Sequence, residues 1–273
     1  MRTITSGAIA ALILGLAACG AGGDGKADAA TQAATAPGTV TFQTRPALAQ
    51  DVEALPRLVG DTPGIVAINA DLERRDAEAR EGGCDSPATG GYERGIQQPM
   101  TGPGYVTFWI AEGYYCEGNA HPGFEQTVIT YDLATGRPVD WAAAVAGLEL
   151  TRGDTTDMPA TYMPGVSSSA LSNWYSARAL ATADAEWLEQ CRDVLTPEAL
   201  SGTTFKMWLD AENGGLSVSP EFAHVVMACA DNQTMTAEDM RGFGVWPAIV
   251  EAVTAAHAAG NWAPKEEPAG DAA

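Results

Sequence analysis

Basic residues are scarce in this 273-residue chain: 15 Lys+Arg stand against 35 Asp+Glu, a formal net charge of −20 at pH 7. Only Lys26, Lys206 and Lys265 are lysines. So acidic a chain lacks the cationic surface that holds phosphate backbones, which argues against nucleic acid as a partner. It has little to draw it electrostatically to anionic lipid. Metal signatures are missing too. The five Cys include no CxxC pair, and His121, His224 and His257 lack HExxH-type spacing. Asp231-Asn232-Gln233 is not an EF-hand loop. Gly165-Val166-Ser167-Ser168-Ser169 is not a G-x-S-x-G nucleophile elbow but a loop and helix cap. No cofactor is expected, and no catalytic constellation marks the chain as an enzyme. What is present, 46% hydrophobic and 18% charged residues, is enough to bury a core and excludes collagen-like and fully disordered chains.

Arg2 is the only formal charge before Asp24. An apolar run from Ile4 to Leu16 follows, interrupted by Ser6 and Gly7, and meets Leu16-Ala17-Ala18-Cys19-Gly20. A positive start, a short apolar stretch and small residues describe a secretory signal, and the run is too short to span hydrocarbon about 30 Å thick. Leu-Ala-Ala-Cys resembles the lipobox of bacterial lipoproteins. That resemblance implies that Cys19 receives a diacylglyceryl group, becomes the first residue after cleavage and is acylated again on its amine. Two or three acyl chains anchor stably where one is marginal. Gly20, rather than Asp, resembles the enterobacterial signal for the outer membrane. The expected location is therefore the cell envelope, lipid-anchored to the outer membrane and facing the periplasm. Loss of Arg2 leaves 14 basic against 35 acidic groups, a charge of −21.

The expected organisation is a signal peptide (1–18), a flexible tether (19–38), a folded region (39–263, with a possible subdivision near 150) and a disordered tail (264–273). Once Cys19 is set aside, Cys84, Cys116, Cys191 and Cys229 remain, an even number in an exported chain. Three connectivities are open. The sequential one, Cys84–Cys116 with Cys191–Cys229, is favoured, and each loop would contribute about 3–4 kcal/mol.

Within the folded region, Thr39 to Thr44 alternates as a strand. Thr62 and Pro63 open a helix with an Ile65, Ile68, Leu72 stripe. Its Asp71–Arg75 and Asp76–Arg80 pairs are expected on the solvated side, and Gly82-Gly83 at its end. Tyr105 to Ile110 and Gln126 to Tyr131 are the strongest strand signals, with a loop from Glu112 to Gly123 between them. Leu133 to Arg137 is a turn, and Trp141 to Val145 a short helix. Asn173 to Leu195 is expected as one long amphipathic helix. Phe205 to Ala211, Leu216 to Ser219 and His224 to Cys229 are expected as a three-stranded meander, with a hairpin turn at Asn213-Gly214-Gly215. Trp246 to His257 is a closing helix. Grouped helices and hairpins predict an α+β fold, antiparallel sheet with flanking helices.

Several local patterns line up with one family. Leu55-Pro56-Arg57-Leu58 followed by Ile68-Asn69-Ala70-Asp71-Leu72, then Cys116-Glu117-Gly118-Asn119-Ala120-His121-Pro122, then Tyr131-Asp132-Leu133-Ala134-Thr135-Gly136-Arg137, and finally Gly214-Gly215-Leu216 with Phe243 to Val253, resemble the RsiV/PdaC-type extracytoplasmic domain, in the family's order. In that family the domain is the lysozyme-binding outer part of an anti-sigma factor, or stands beside a peptidoglycan deacetylase domain. No sigma-binding or deacetylase segment is expected here, and Asn119 stands where the family often has a small residue. What the resemblance implies is the fold and a recognition role at the envelope.

Two functional readings follow. In the first, the protein is an envelope binding module for a basic protein such as a lysozyme-like enzyme, using Tyr114, Tyr115, Glu117, Asn119 and His121. Tyr105, Phe108 and Trp109 of the same aromatic cluster are read as core. In the second, it is an envelope glycan hydrolase in which His121 forms an acid–base pair with Glu117 or Glu125.

Overall fold

The computed structural model describes residues 40–81, 91–116 and 121–263. Cys19, Cys84, Glu117, Asn119, the expected signal and tether and the expected tail lie outside the described residues. A two-residue ladder, β1 (Phe42–Gln43) with β2 (Arg57–Leu58), precedes α1 (Pro63–Glu81). β3 (Gly91–Thr101), β4 (Tyr105–Tyr115), β5 (Gly123–Asp132) and β6 (Arg137–Pro138) form a four-stranded meander in that order. α2 (Trp141–Ala144) leads to a second sheet of β7 (Thr151–Arg152), β8 (Val166–Ser167), β9 (Phe205–Asp210), β10 (Gly215–Pro220) and β11 (Gln233–Met235). Between β8 and β9 come α3 (Ser169–Thr182) and α4 (Ala185–Cys191); α5 (Ala237–Gly242) and α6 (Pro247–Ala259) close the described chain. Every pairing between these strands is antiparallel. The fold is α+β.

The alternation of β4 explains why Tyr105 to Ile110 reads as an almost unbroken apolar run. Val106, Phe108 and Ile110 pack with Ile68 and Leu72 of α1. Successive strand residues face opposite sides, and on the other side Trp109 meets Trp208 of β9 edge-on, ring centroids 4.8 Å apart. Thr130 of β5 accepts a hydrogen bond from the Leu209 backbone N–H (3.2 Å). The first sheet is thus covered by α1 on one face and by the second sheet on the other.

Local chemistry sets the ends of the elements. The Thr62 hydroxyl accepts from Ile65 N–H (3.3 Å) at the start of α1. Asn69 fastens the helix to β2, accepting from Leu58 N–H and donating to Leu58 O, both at 2.9 Å. In the turn after β5, Asp132 accepts from Ala134 and Thr135 N–H (2.7 and 3.0 Å). Gly136 there has φ +69°, and a Cβ would meet the Gly64 carbonyl of α1.

One strand carries no signal in the sequence, and three expectations are corrected. β3 carries Gly91, Gly95 and Pro99 and gives little strand signal; its pairing with β4 makes it a strand, at the sheet edge, with the register slipping between Gln97 and Met100 around the proline. The long helix breaks at Ala183, because Asp184 caps a new one by accepting from Trp187 N–H (2.9 Å). His224 to Cys229 is a 3₁₀ turn rather than a strand, and Gln233–Met235 is the third strand of the meander. That turn carries Cys229 to Cys191 of α4, where the expected disulfide joins Cα atoms 5.4 Å apart. Cys116 is also disulfide-bonded; Cys84, its expected partner, is outside the described residues. Finally, Arg75 and Asp76 do not face solvent. They continue the Ile68 and Leu72 stripe one turn further and are buried. Arg75 does pair with Asp71 (3.0 Å), but Asp76 pairs with Arg57 and Arg94 (both 2.8 Å), and Arg80 meets Glu73 instead (3.6 Å).

Candidate functional site

The first sheet outruns its helix. β4 and β5 continue beyond Ile110 and Thr127 with Glu112, Tyr114 and Glu125, where α1 no longer supplies apolar cover. A cavity of about 460 Å³ opens there, between the second half of α1, these strand ends, residues 158–163 and the Lys206–Glu221 pair. Among the described residues, seven of those lining it are charged: Arg75, Arg94 and Lys206 against Glu78, Glu112, Glu125 and Glu221.

Most of these charges have partners. Glu112 accepts from the Tyr92 hydroxyl (2.5 Å) and lies 3.4 Å from Arg94 Nε. Burial, with Glu112 beside it, pushes the Tyr92 phenol well above its ordinary range. Lys206 Nζ is 3.5 Å from Glu221 and donates to the Gln126 carbonyl. Glu78 accepts from the Thr161 hydroxyl. Arg75 donates from Nε to Asp71 (3.0 Å) and to the Tyr131 hydroxyl (3.3 Å), and Tyr131 donates to Asp71. Burial raises the Tyr131 phenol, Arg75 opposes the shift and Asp71 adds to it. The Tyr162 phenol, facing the cavity, is raised by burial and then by Glu221 and Glu125.

Of the expected site residues, Tyr114 and Tyr115 are not in a loop: they end β4 and are 37% and 53% exposed. Tyr114 lines the cavity, and its ring lies over Gly123, where a Cβ would collide with it. Phe124, 45% exposed on β5, joins the same strand end and was not anticipated. Tyr105 and Phe108 are core, as expected, and Trp109 packs between the sheets. His121 is exposed and stacks on His224, centroids 6.1 Å apart and 20° between planes; among the described residues no carboxylate is within ion-pair reach of it. The Glu125 partner expected for it lies on the cavity wall instead. Arg75, Tyr92, Arg94 and Lys206 escaped sequence reasoning. The one available signal was that 75 and 76 fall on the helix face of Ile68 and Leu72.

No protein-family model matches the chain, and no curated protein matches it. A solved structure, that of a DUF3298 family member from Bacteroides fragilis NCTC 9343, is similar at 18% identity over 70% of this chain and 73% of that one, with a TM-score of 0.35. A likeness of that size carries no argument about activity. Among the described residues no helix is long and apolar enough to cross a membrane.

Proposed function

We propose that the protein is a lipid-anchored binding module of the bacterial cell envelope. In this reading Cys19 is the acylated first residue, 19–38 is the tether, and the mature chain is held at the outer membrane facing the periplasm. The folded part is an RsiV/PdaC-type domain that recognises a basic protein, with lysozyme-like enzymes the first candidates.

One observation carries the binding reading: large aromatic side chains are exposed where β4 ends and β5 begins, Tyr115 and Phe124 on one face of the sheet and Tyr114, with Glu125, on the other. Rigid aromatics of this kind are the usual anchors of protein interfaces. The charge of −21 expected after cleavage would steer a cationic partner toward them. Glu117, Asn119 and His121 belong to the connection between those strands and complete the proposed contact surface. The hydrolase reading has less support, because the described contact of His121 is a second imidazole rather than a carboxylate.

Calorimetry with c-type lysozyme, using the chain with Cys19→Ser, tests the reading. Binding is expected at physiological salt, weakened roughly tenfold or more by Tyr115→Ala or Phe124→Ala, as for a hot-spot aromatic. Binding seen only at low salt and indifferent to both substitutions would mean general charge attraction and reject the interface.

A further inference from the structure

We propose that the cavity at the end of α1 is a binding site for a diamino acid, a zwitterion with one additional ammonium group, whose carboxylate is taken by Arg75 and whose ammonium is taken by Glu125. This goes beyond partner recognition and does not depend on the anchor.

Arg75 is 7% exposed and lines the cavity. Its Nε is occupied by Asp71 and Tyr131, but its two terminal nitrogens have no hydrogen-bond partner among the described residues. Neither is among the polar atoms sealed away without a partner, and the space the residue lines is where the proposal has them donate. A buried guanidinium whose two terminal N–H groups face a cavity is a match for a planar carboxylate, which can accept both at once. The protein's own carboxylates leave that edge alone. Asp71 is held at Nε, Glu78 by Thr161, Glu112 by Tyr92 and Arg94, and Glu221 by Lys206.

Glu125 is the complement. It lines the same cavity and has neither an ion pair nor a hydrogen bond through its side chain among the described residues. Arg75 and Glu125 do not pair with each other, so one donor edge and one carboxylate face the same space unused. A ligand carrying both charges satisfies both. A simple anion or cation satisfies one and leaves the other desolvated and uncompensated, which is costly. Among the described lining residues, four Glu against three cations leave one negative charge in excess, which selects a second ammonium on the ligand and disfavours phosphate. Tyr92, Tyr114 and Tyr162 supply aromatic faces of the kind that hold ammonium groups. The volume, about 460 Å³, lies in the range of small-molecule sites.

The test is calorimetry of the full chain with L-lysine, with hexanoate (which lacks both amines) and with cadaverine (which lacks the carboxylate). L-Lysine is expected to bind in the millimolar range or tighter. Arg75→Gln and Glu125→Gln should each weaken it about tenfold or more, the value of a charge-assisted pair. Hexanoate and cadaverine should each bind at least about tenfold more weakly than L-lysine to the unaltered protein. Absence of L-lysine binding to the folded protein overturns the proposal, as does L-lysine binding that Glu125→Gln leaves unchanged. Cadaverine binding as tightly as L-lysine also overturns it and leaves only attraction of cations to an acidic surface. Should Arg75→Gln fail to fold, as circular dichroism would show, Glu125→Gln and the two truncated probes decide the matter without it.

Discussion

Arg94 of β3 and Asp76 of α1 meet in the interior, Nη1 to Oδ1 at 2.8 Å, with side chains 2% and 1% exposed. Asp76 also accepts from Arg57 Nη2 (2.8 Å) and from Leu55 N–H (3.1 Å). One carboxylate therefore joins the helix, the edge strand and the segment before β2. Removing one partner of a buried ion pair strands the others, at about 3–5 kcal/mol. Asp76→Ala is expected to cost that much in urea denaturation. A loss under about 1 kcal/mol, the size of a surface pair, would show that the cluster does not hold these elements together.

The Cys191–Cys229 bridge closes a 38-residue separation between α4 and the 3₁₀ turn that precedes β11. Constraint of the unfolded chain makes such a loop worth about 3–4 kcal/mol. The double variant Cys191→Ser, Cys229→Ser should lose that amount, read as a lower urea midpoint. An unchanged midpoint would assign the local packing to the helices alone.

Alkaline stability follows from the tyrosines. Burial pushes the phenols of Tyr92, Tyr131 and Tyr175 far up, and Tyr105 up to about 12. A folded value above the unfolded one, near 10, means that the folded state holds its protons longer. That stability is fully present below pH about 10 and is lost as pH rises through the folded values. Ultraviolet titration should show these phenols ionising in one step together with loss of near-ultraviolet circular dichroism. Smooth, independent ionisation with the fold intact would contradict it. At the acid end the sign reverses: Arg57 holds Glu73 down and Arg152 holds Asp140 down. Their small surface contributions are present at neutral pH and fade as pH falls through the lowered carboxylate values.

The proposed anchor has a direct test. Cys19→Ser should leave the protein unacylated and release it to the soluble fraction of the envelope. Retention of label from radioactive palmitate, with the protein still in the membrane pellet, would reject the lipoprotein reading.

Much of the architecture was legible residue by residue. Thr62-Pro63 marks the start of α1, Asn213-Gly214-Gly215 the β9–β10 turn, and an even cysteine count with sequential separation anticipated Cys191–Cys229. These signals are local: a cap, a turn dipeptide or an alternation acts within a few residues, and its physics is complete in the sequence. β3 was not legible, since Gly91, Gly95 and Pro99 disfavour a strand locally and only the hydrogen bonds of β4 make one.

The sequence by itself therefore determined an antiparallel α+β chain with its turns and caps and a strongly acidic net charge, and favoured one of three disulfide connectivities. Only the tertiary structure decided that Arg75 and Asp76 turn inward, that His121 meets His224, and that Arg75 and Glu125 face one cavity. The reason is that charges on a helix read as solvated until partners distant in the chain, Arg57, Arg94 and Tyr131, come to them. A cavity belongs to no segment; it is the space left where a sheet runs past the end of the helix that covers it.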